Sequence, residues 1–104
     1  MERACFTFEI YPDKVDEYKR RHDEIWPELV EVIRNSGAKN YTLFLRGTQV
    51  IAYVECHPDI ATTFSLAGAH EISARWSEWF EDVIVSLVDE DGNQFSAEEV
   101  WHLD

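Results

Sequence analysis

The apolar residues of this chain switch from a period of two to a helical period and back again, and that switching sets the order of its elements. Residues 4–10 alternate, with Phe6, Phe8 and Ile10 on one side and Cys5, Thr7 and Glu9 on the other, which is the pattern of a half-buried strand. Val15, Tyr18, His22, Ile25, Leu29 and Val32 then follow at steps of 3, 4, 3, 4 and 3, a continuous helical stripe facing a core. Pro12-Asp13 suits the opening of that helix, since Pro is favoured in the first turn and Asp complements the positive end of the dipole. Gly37 suits its C′ stop. Pro27 lies inside it, removes one backbone donor and predicts a kink close to Trp26.

Residues 40–45 alternate again, placing Tyr41, Leu43 and Leu45 against Thr42 and Phe44. After the turn Arg46-Gly47-Thr48-Gln49, residues 50–56 put Val50, Ala52, Val54 and Cys56 on one side, and the two runs read as a hairpin. His57-Pro58-Asp59 opens a second helical region. Gly68 divides it into a short first piece and a longer piece over 70–86, with Ile72, Trp76, Trp79, Val83 and Leu87 as its buried stripe. Asp89–Asn93 is a polar loop, and Glu99–Leu103 reads as a last strand. The order β-α-β-β-α-β predicts an α+β fold of the ferredoxin-like kind, an antiparallel sheet with helices on one face, residues 1–104 forming one domain. The other sheet face also carries Ile, Val and Phe. A second copy of the same sheet is the simplest cover for it, which predicts a homodimer.

Twenty-one Asp and Glu against nine Lys and Arg give a net charge of −12. Such a chain cannot assemble the basic face that phosphate neutralisation needs, which argues against nucleic acid and against anionic membranes as partners. A neutral ligand suits it better. No apolar run approaches a membrane span, and Met1–Phe6 lacks the apolar stretch of a secretion signal. Cys5 and Cys56 form no C-x-x-C pair and read as reduced thiols packed like small hydrophobes. The expected compartment is therefore the cytoplasm.

His22 is the residue on the helical stripe that a core does not call for. Tyr18 lies one turn before it, so the phenol and the imidazole point into the same space. The plain alternative is a core histidine tied to a backbone carbonyl, because a buried imidazole needs partners for its nitrogens. Company favours a function. Tyr41 on the second strand and Trp76 on the inner stripe of the second helix converge on His22 if the fold is as read. Flat rings with one polar tip suit a sugar, the ring face meeting C–H groups while hydroxyls find hydrogen bonds. Four histidines are present, but none pairs at zinc spacing, so no metal is expected. No Gly-rich phosphate loop or activated Ser or Cys nucleophile stands out. Acidic pairs such as Glu28 and Glu31 read as solvated faces.

The run Glu17-Tyr18-Lys19-Arg20-Arg21-His22-Asp23-Glu24-Ile25-Trp26-Pro27-Glu28-Leu29 resembles the signature of the L-rhamnose mutarotase family. Gly37-Ala38-Lys39-Asn40-Tyr41 resembles that family's entry to its second strand, and Arg75-Trp76 the start of its Arg-Trp-Trp element. The resemblance implies a ferredoxin-like homodimer, a dimeric α+β barrel, that interconverts the anomers of L-rhamnose without cofactor or metal. It makes His22 the proton-donating catalytic residue and Tyr18, Tyr41 and Trp76 the sugar-binding ones. This chain departs from the family where Ser77 stands for a second tryptophan and where Asp89–Gln94 replaces an Asn-Pro-Asp-Asn-Ser-Pro run. Both departures bear on which sugar fits, and Trp79, one turn beyond Trp76, is a candidate for the missing stacking surface.

Anomer exchange needs a proton delivered to the ring oxygen and one removed from the anomeric hydroxyl. A histidine with an ordinary pKa near 6.5 reaches both protonation states at pH 7. Its partner base stays open among Tyr18, a carboxylate and a water. Rival readings are a mutarotase for another deoxy sugar such as L-fucose, a cofactor-free dimeric α+β barrel monooxygenase, and a sugar-binding module without catalysis.

Overall fold

The computed structural model describes residues 1–104. Its centre is β1 (Glu2–Ile10), paired antiparallel with β3 (Gln49–Cys56), and β2 (Ala38–Arg46) extends the sheet beyond β3. Two short strands share the other edge of β1: β4 (Ile84–Ser86) at Glu9–Ile10 and β5 (Phe95–Ala97) at Cys5–Thr7. The order β2-β3-β1-β4 is that of a ferredoxin-like antiparallel sheet. The alternation read from the sequence is what the sheet uses. Ala4, Phe6, Phe8 and Ile10 of β1 and Val50, Ala52, Val54 and Cys56 of β3 are buried on one face, and Tyr18 and Phe80 pack onto that face. The hairpin closes as expected, with Arg46 opposite Gln49.

Both helical regions differ from their sequence reading. The first is two helices rather than one kinked helix: α1 (Val15–Asp23), preceded by a single 3-10 turn, and α2 (Pro27–Asn35). Trp26 between them is extended, at φ −65° and ψ 127°. Proline removes its own donor and also drives the preceding residue out of the helical region, so two adjacent restrictions turn a bend into a break. Trp26 thereby leaves the helix surface.

The second region forms α3 (Ile60–Gly68) and α4 (Glu71–Trp79). Asp59 caps α3 by accepting from the Thr62 amide at 2.7 Å, and His70 caps α4 by accepting from the Ile72 amide at 3.2 Å. Gly68 ends α3 as expected, but α4 stops at Trp79, well short of residue 86. The β-branched run Val83-Ile84-Val85 prefers extended backbone, and the open edge of β1 gives it a partner. Leu87 is accordingly 39% exposed instead of completing a helical stripe. The last strand is Phe95–Ala97, not Glu99–Leu103. Residues 98–104 form no regular element, and Val100, Trp101 and Leu103 are exposed, because β5 and β4 already occupy the edge of β1. No helix is long and apolar enough to cross a membrane.

Gly37 stops α2 as read, at φ +98°. A Cβ there would sit 1.9 Å from the His57 carbonyl oxygen, a backbone atom that cannot step aside. Gly37→Ala should therefore lower stability by about 3 kcal/mol, combining left-handed strain with overpacking. Gly47→Ala, at φ +62° with open space around it, should lose only about 1 kcal/mol. Urea denaturation midpoints of the two variants check the difference.

Candidate active site

The last turn of α1 carries His22, with Tyr18 one turn before it, and α4 brings Trp76 across from the other side. The Tyr18 and His22 rings lie 4.4 Å apart between centroids, and Trp76 meets His22 edge-on at 5.5 Å. Phe80, just past α4 and 1% exposed, closes the wall at 5.3 Å from His22, 4.7 Å from Trp76 and 5.8 Å from Tyr18. Three of the four residues named from sequence thus form one aromatic cluster.

Tyr41 arrives by a different device. Lys39 pairs with Glu55 and Thr42 with Tyr53, so Asn40 and Tyr41 together face Val54. Asn40 takes the left-handed conformation at φ 51°. This bulge inserts one residue and shifts the parity of the strand. Without it, Tyr41 would pair with Tyr53 on the outer face; with it, both Ala38 and Tyr41 belong to the inner face. Tyr41 makes no ring stack with His22 or Trp76; it adds to the raised pKa of Tyr18 only behind burial.

Hydrogen bonding assigns the imidazole tautomer. His22 Nδ1 lies 3.0 Å from the Tyr18 carbonyl oxygen, which can only accept, so Nδ1 carries the proton and the lone pair of the neutral ring is on Nε2. The core-histidine alternative is thus half right: one nitrogen is tied to a carbonyl. The other has no protein partner, nor has the Tyr18 hydroxyl, although Tyr18 is only 5% exposed. No buried side-chain nitrogen or oxygen is left without a partner, so both atoms retain access to the space beside the cluster.

Burial lowers the pKa of His22, partly opposed by its bond to the Tyr18 carbonyl. Burial pushes the Tyr18 phenol well above its ordinary range. Tyr41 keeps 43% of its surface exposed, but its hydroxyl end is enclosed and its pKa rises to about 12. At neutral pH the site therefore holds one basic imidazole nitrogen beside two protonated phenols.

Sequence reasoning missed several members of this site. Trp26, freed by the break at Pro27, stacks on Trp79 at 5.3 Å and 11° and meets Trp76 edge-on at 5.1 Å. Trp79 also carries the Arg21 guanidinium over its ring at 4.6 Å. Its indole is taken up by these two neighbours rather than offered to a ligand, which corrects the expectation that it supplies stacking surface. Arg21 itself is buried at 7% exposure. Its local signal in the sequence is Glu17 four residues earlier, the spacing of an ordinary surface ion pair. Ser77 is exposed on α4. No three His, Cys, Asp or Glu side chains gather as metal ligands would.

A family model described as L-rhamnose mutarotase matches residues 3–103. The L-rhamnose mutarotase of Oceanobacillus iheyensis is 34% identical over 106 residues, covering all of both chains. That of Pectobacterium carotovorum is 35% identical with the same coverage. The crystal structure of an L-rhamnose mutarotase from Formosa agariphila superposes with a TM-score of 0.78 at 26% identity over the whole of both chains. Tetracenomycin F2 cyclase from Streptomyces glaucescens, at 18% identity, TM-score 0.67 and coverage of all of this chain and 98% of its own, shares the fold.

The lowered pKa of His22 fixes a sign for stability. Between its folded pKa and the ordinary histidine value near 6.5, the unfolded chain binds the extra proton, so stability rises with pH across that window, and the loss on acidification is complete once the pH is below the folded pKa. His22→Asn keeps a donor for the Tyr18 carbonyl and cannot titrate. Thermal melting between pH 5 and pH 7 should show a shallower pH dependence in the variant than in the wild type.

Proposed function

The chain belongs to the L-rhamnose mutarotase family, and from that premise we infer that it is an isomerase interconverting the α and β anomers of L-rhamnose, with His22 as the proton-transfer residue. The observation that carries the residue assignment is a pair of polar atoms without protein partners, His22 Nε2 and the Tyr18 hydroxyl, on two rings whose centroids lie 4.4 Å apart.

The chemistry follows from those protonation states. In ring opening, neutral His22 takes the proton of the anomeric hydroxyl on Nε2 while the C1–O5 bond breaks and the ring oxygen gains a proton. That proton comes from the Tyr18 or Tyr41 phenol, both protonated at rest, and the phenolate so formed takes it back in closure when the hydroxyl attacks. The free aldehyde turns about C1–C2. In closure the sequence reverses: the imidazolium donates its proton to the carbonyl oxygen as the hydroxyl attacks the other face. His22 is thus base in one direction and acid in the other. Trp76 offers an indole to the sugar's C–H groups.

The pair of copies expected from the sequence also has structural support. Phe44 pairs with Ile51, Ile51 with Thr7 and Thr7 with Phe95, so these four side chains form one row across the outer sheet face. Phe44 is 57% and Phe95 44% exposed. We propose that a second copy covers this row. Phe44→Lys together with Phe95→Lys should convert a dimer into a monomer in sedimentation equilibrium, and an unchanged mass would remove that surface.

The reaction is tested by exchange NMR on the anomeric protons of L-rhamnose, L-fucose and D-glucose with and without the protein. L-Rhamnose should be accelerated most. His22→Asn should lose about 10²- to 10⁴-fold in rate while sugar binding remains measurable. Trp76→Ala should weaken binding more than it lowers the melting temperature. Wild-type exchange in a folded His22→Asn protein would reject the mechanism, and equal rates for all three sugars would reject the substrate.

A further inference from the structure

We infer that Arg21 is the positioning residue of this site, holding the end of α4 so that Trp76 and Phe80 keep their approach to His22. The inference rests on the mutarotase reading above, which supplies the reaction that positioning would serve.

Arg21 lies on α1 directly before His22, and the bonds of its two Nη atoms leave the helix. Nη1 donates to the carbonyl of Trp79, the last residue of α4, at 2.7 Å. Nη1 and Nη2 fork onto Asp82, at 3.1 and 3.2 Å. Nε donates to Glu17 Oε1 at 3.0 Å. The carbonyls at a helix end have no partners within the helix, and this one is satisfied by an arginine from the helix opposite. The planar guanidinium matches a carboxylate and a carbonyl together, a geometry that an ammonium cannot copy.

The rings against this guanidinium are those that set the site. Arg21 lies over Trp79 at 4.6 Å and near Phe80 at 5.3 Å. Trp79 touches Trp76 at 5.5 Å, and Phe80 touches both Trp76 and His22. No residue of α4 is itself fully buried, so the helix has no deep anchor of its own. Its end is held by Arg21 and by Phe80 beyond it. The charge of Arg21 is matched by Asp82, whose carboxyl it keeps below the ordinary carboxylate range, and by Glu17. With its charge neutralised, Arg21 acts through geometry rather than as a field on the imidazole.

Arg21→Lys and Arg21→Met test this in the full chain. Anomer exchange is followed together with the indole signals in near-UV circular dichroism and the His22 ring resonances in NMR. We expect kcat per folded molecule to fall by about 10- to 100-fold in both variants, the size associated with a misplaced catalytic group, with a smaller change in KM. Lysine should not rescue. The near-UV signal of the tryptophan cluster and the His22 resonances should shift at temperatures where the far-UV spectrum stays native. Wild-type kcat and an unchanged near-UV spectrum in the folded fraction, with only a lower melting temperature, would overturn the inference. Should both variants fail to fold, Asp82→Asn replaces them: a lower kcat in the same direction supports positioning, and wild-type kcat overturns it. If the wild type shows no anomer exchange, the mutarotase reading fails, and the His22 resonances and near-UV spectra of the variants decide the positioning role by themselves.

Discussion

Burial of one face of the β1–β3 ladder is the constraint on which everything else in this protein rests. Eight alternating side chains, from Ala4 to Ile10 and from Val50 to Cys56, are removed from water on the same side. Each large one contributes about 1.5–3 kcal/mol relative to exposure. Because the side-chain period of a strand is two, a slip of one residue would send the whole set to the outer face. The register Phe6–Ala52 and Phe8–Val50 is therefore strongly fixed. Once this face must be covered, the stripe of α1 has one place to go, and Tyr18 meets Phe8 at 6.3 Å. The position of His22 one turn later follows.

The same apolar surroundings give the site its chemistry. An imidazole among Tyr18, Trp76 and Phe80 is short of water, which favours its neutral form. A single carbonyl bond satisfies one nitrogen and leaves the other basic. The phenols are affected in the opposite sense of charge but with the same outcome, since burial keeps them protonated. A wall of aromatic rings thus has two effects at once: the rings fill the space over the sheet and keep the titrating groups beside them uncharged. Two backbone irregularities refine it. The break before Pro27 releases Trp26 to stack on Trp79, and the bulge at Asn40–Tyr41 turns Tyr41 to the inner face.

What the sequence made legible were the features with a local cause. Strand faces, the hairpin, the Gly37 stop and the neighbourhood of Tyr18 and His22 all follow from periodicity or from a residue's own φ preference. Misreadings arose where two local tendencies competed. Trp79, Val83 and Leu87 continue a helical spacing from Trp76, yet Val83-Ile84-Val85 is also a β-branched run, and the free edge of β1 decided for the strand. Trp101 and Leu103 imitate a strand face, but β5 had already taken the available edge. Arg21 was invisible because an i, i+4 pair with Glu17 is what an exposed helix surface usually shows.

The sequence by itself determined the three long strands β1, β2 and β3, the buried face of β1 and β3 and the placing of an imidazole beside a phenol on one helix, because those depend on contacts a few residues apart or on a period that one face enforces. Only the tertiary structure decided that Trp76 would meet His22, that Trp79 would be covered by Trp26 and Arg21, and that Arg21 would close the end of α4. Those contacts join residues more than fifty positions apart. Whether such groups meet depends on how two helices settle on a shared sheet, a matter of packing and desolvation that no local pattern records.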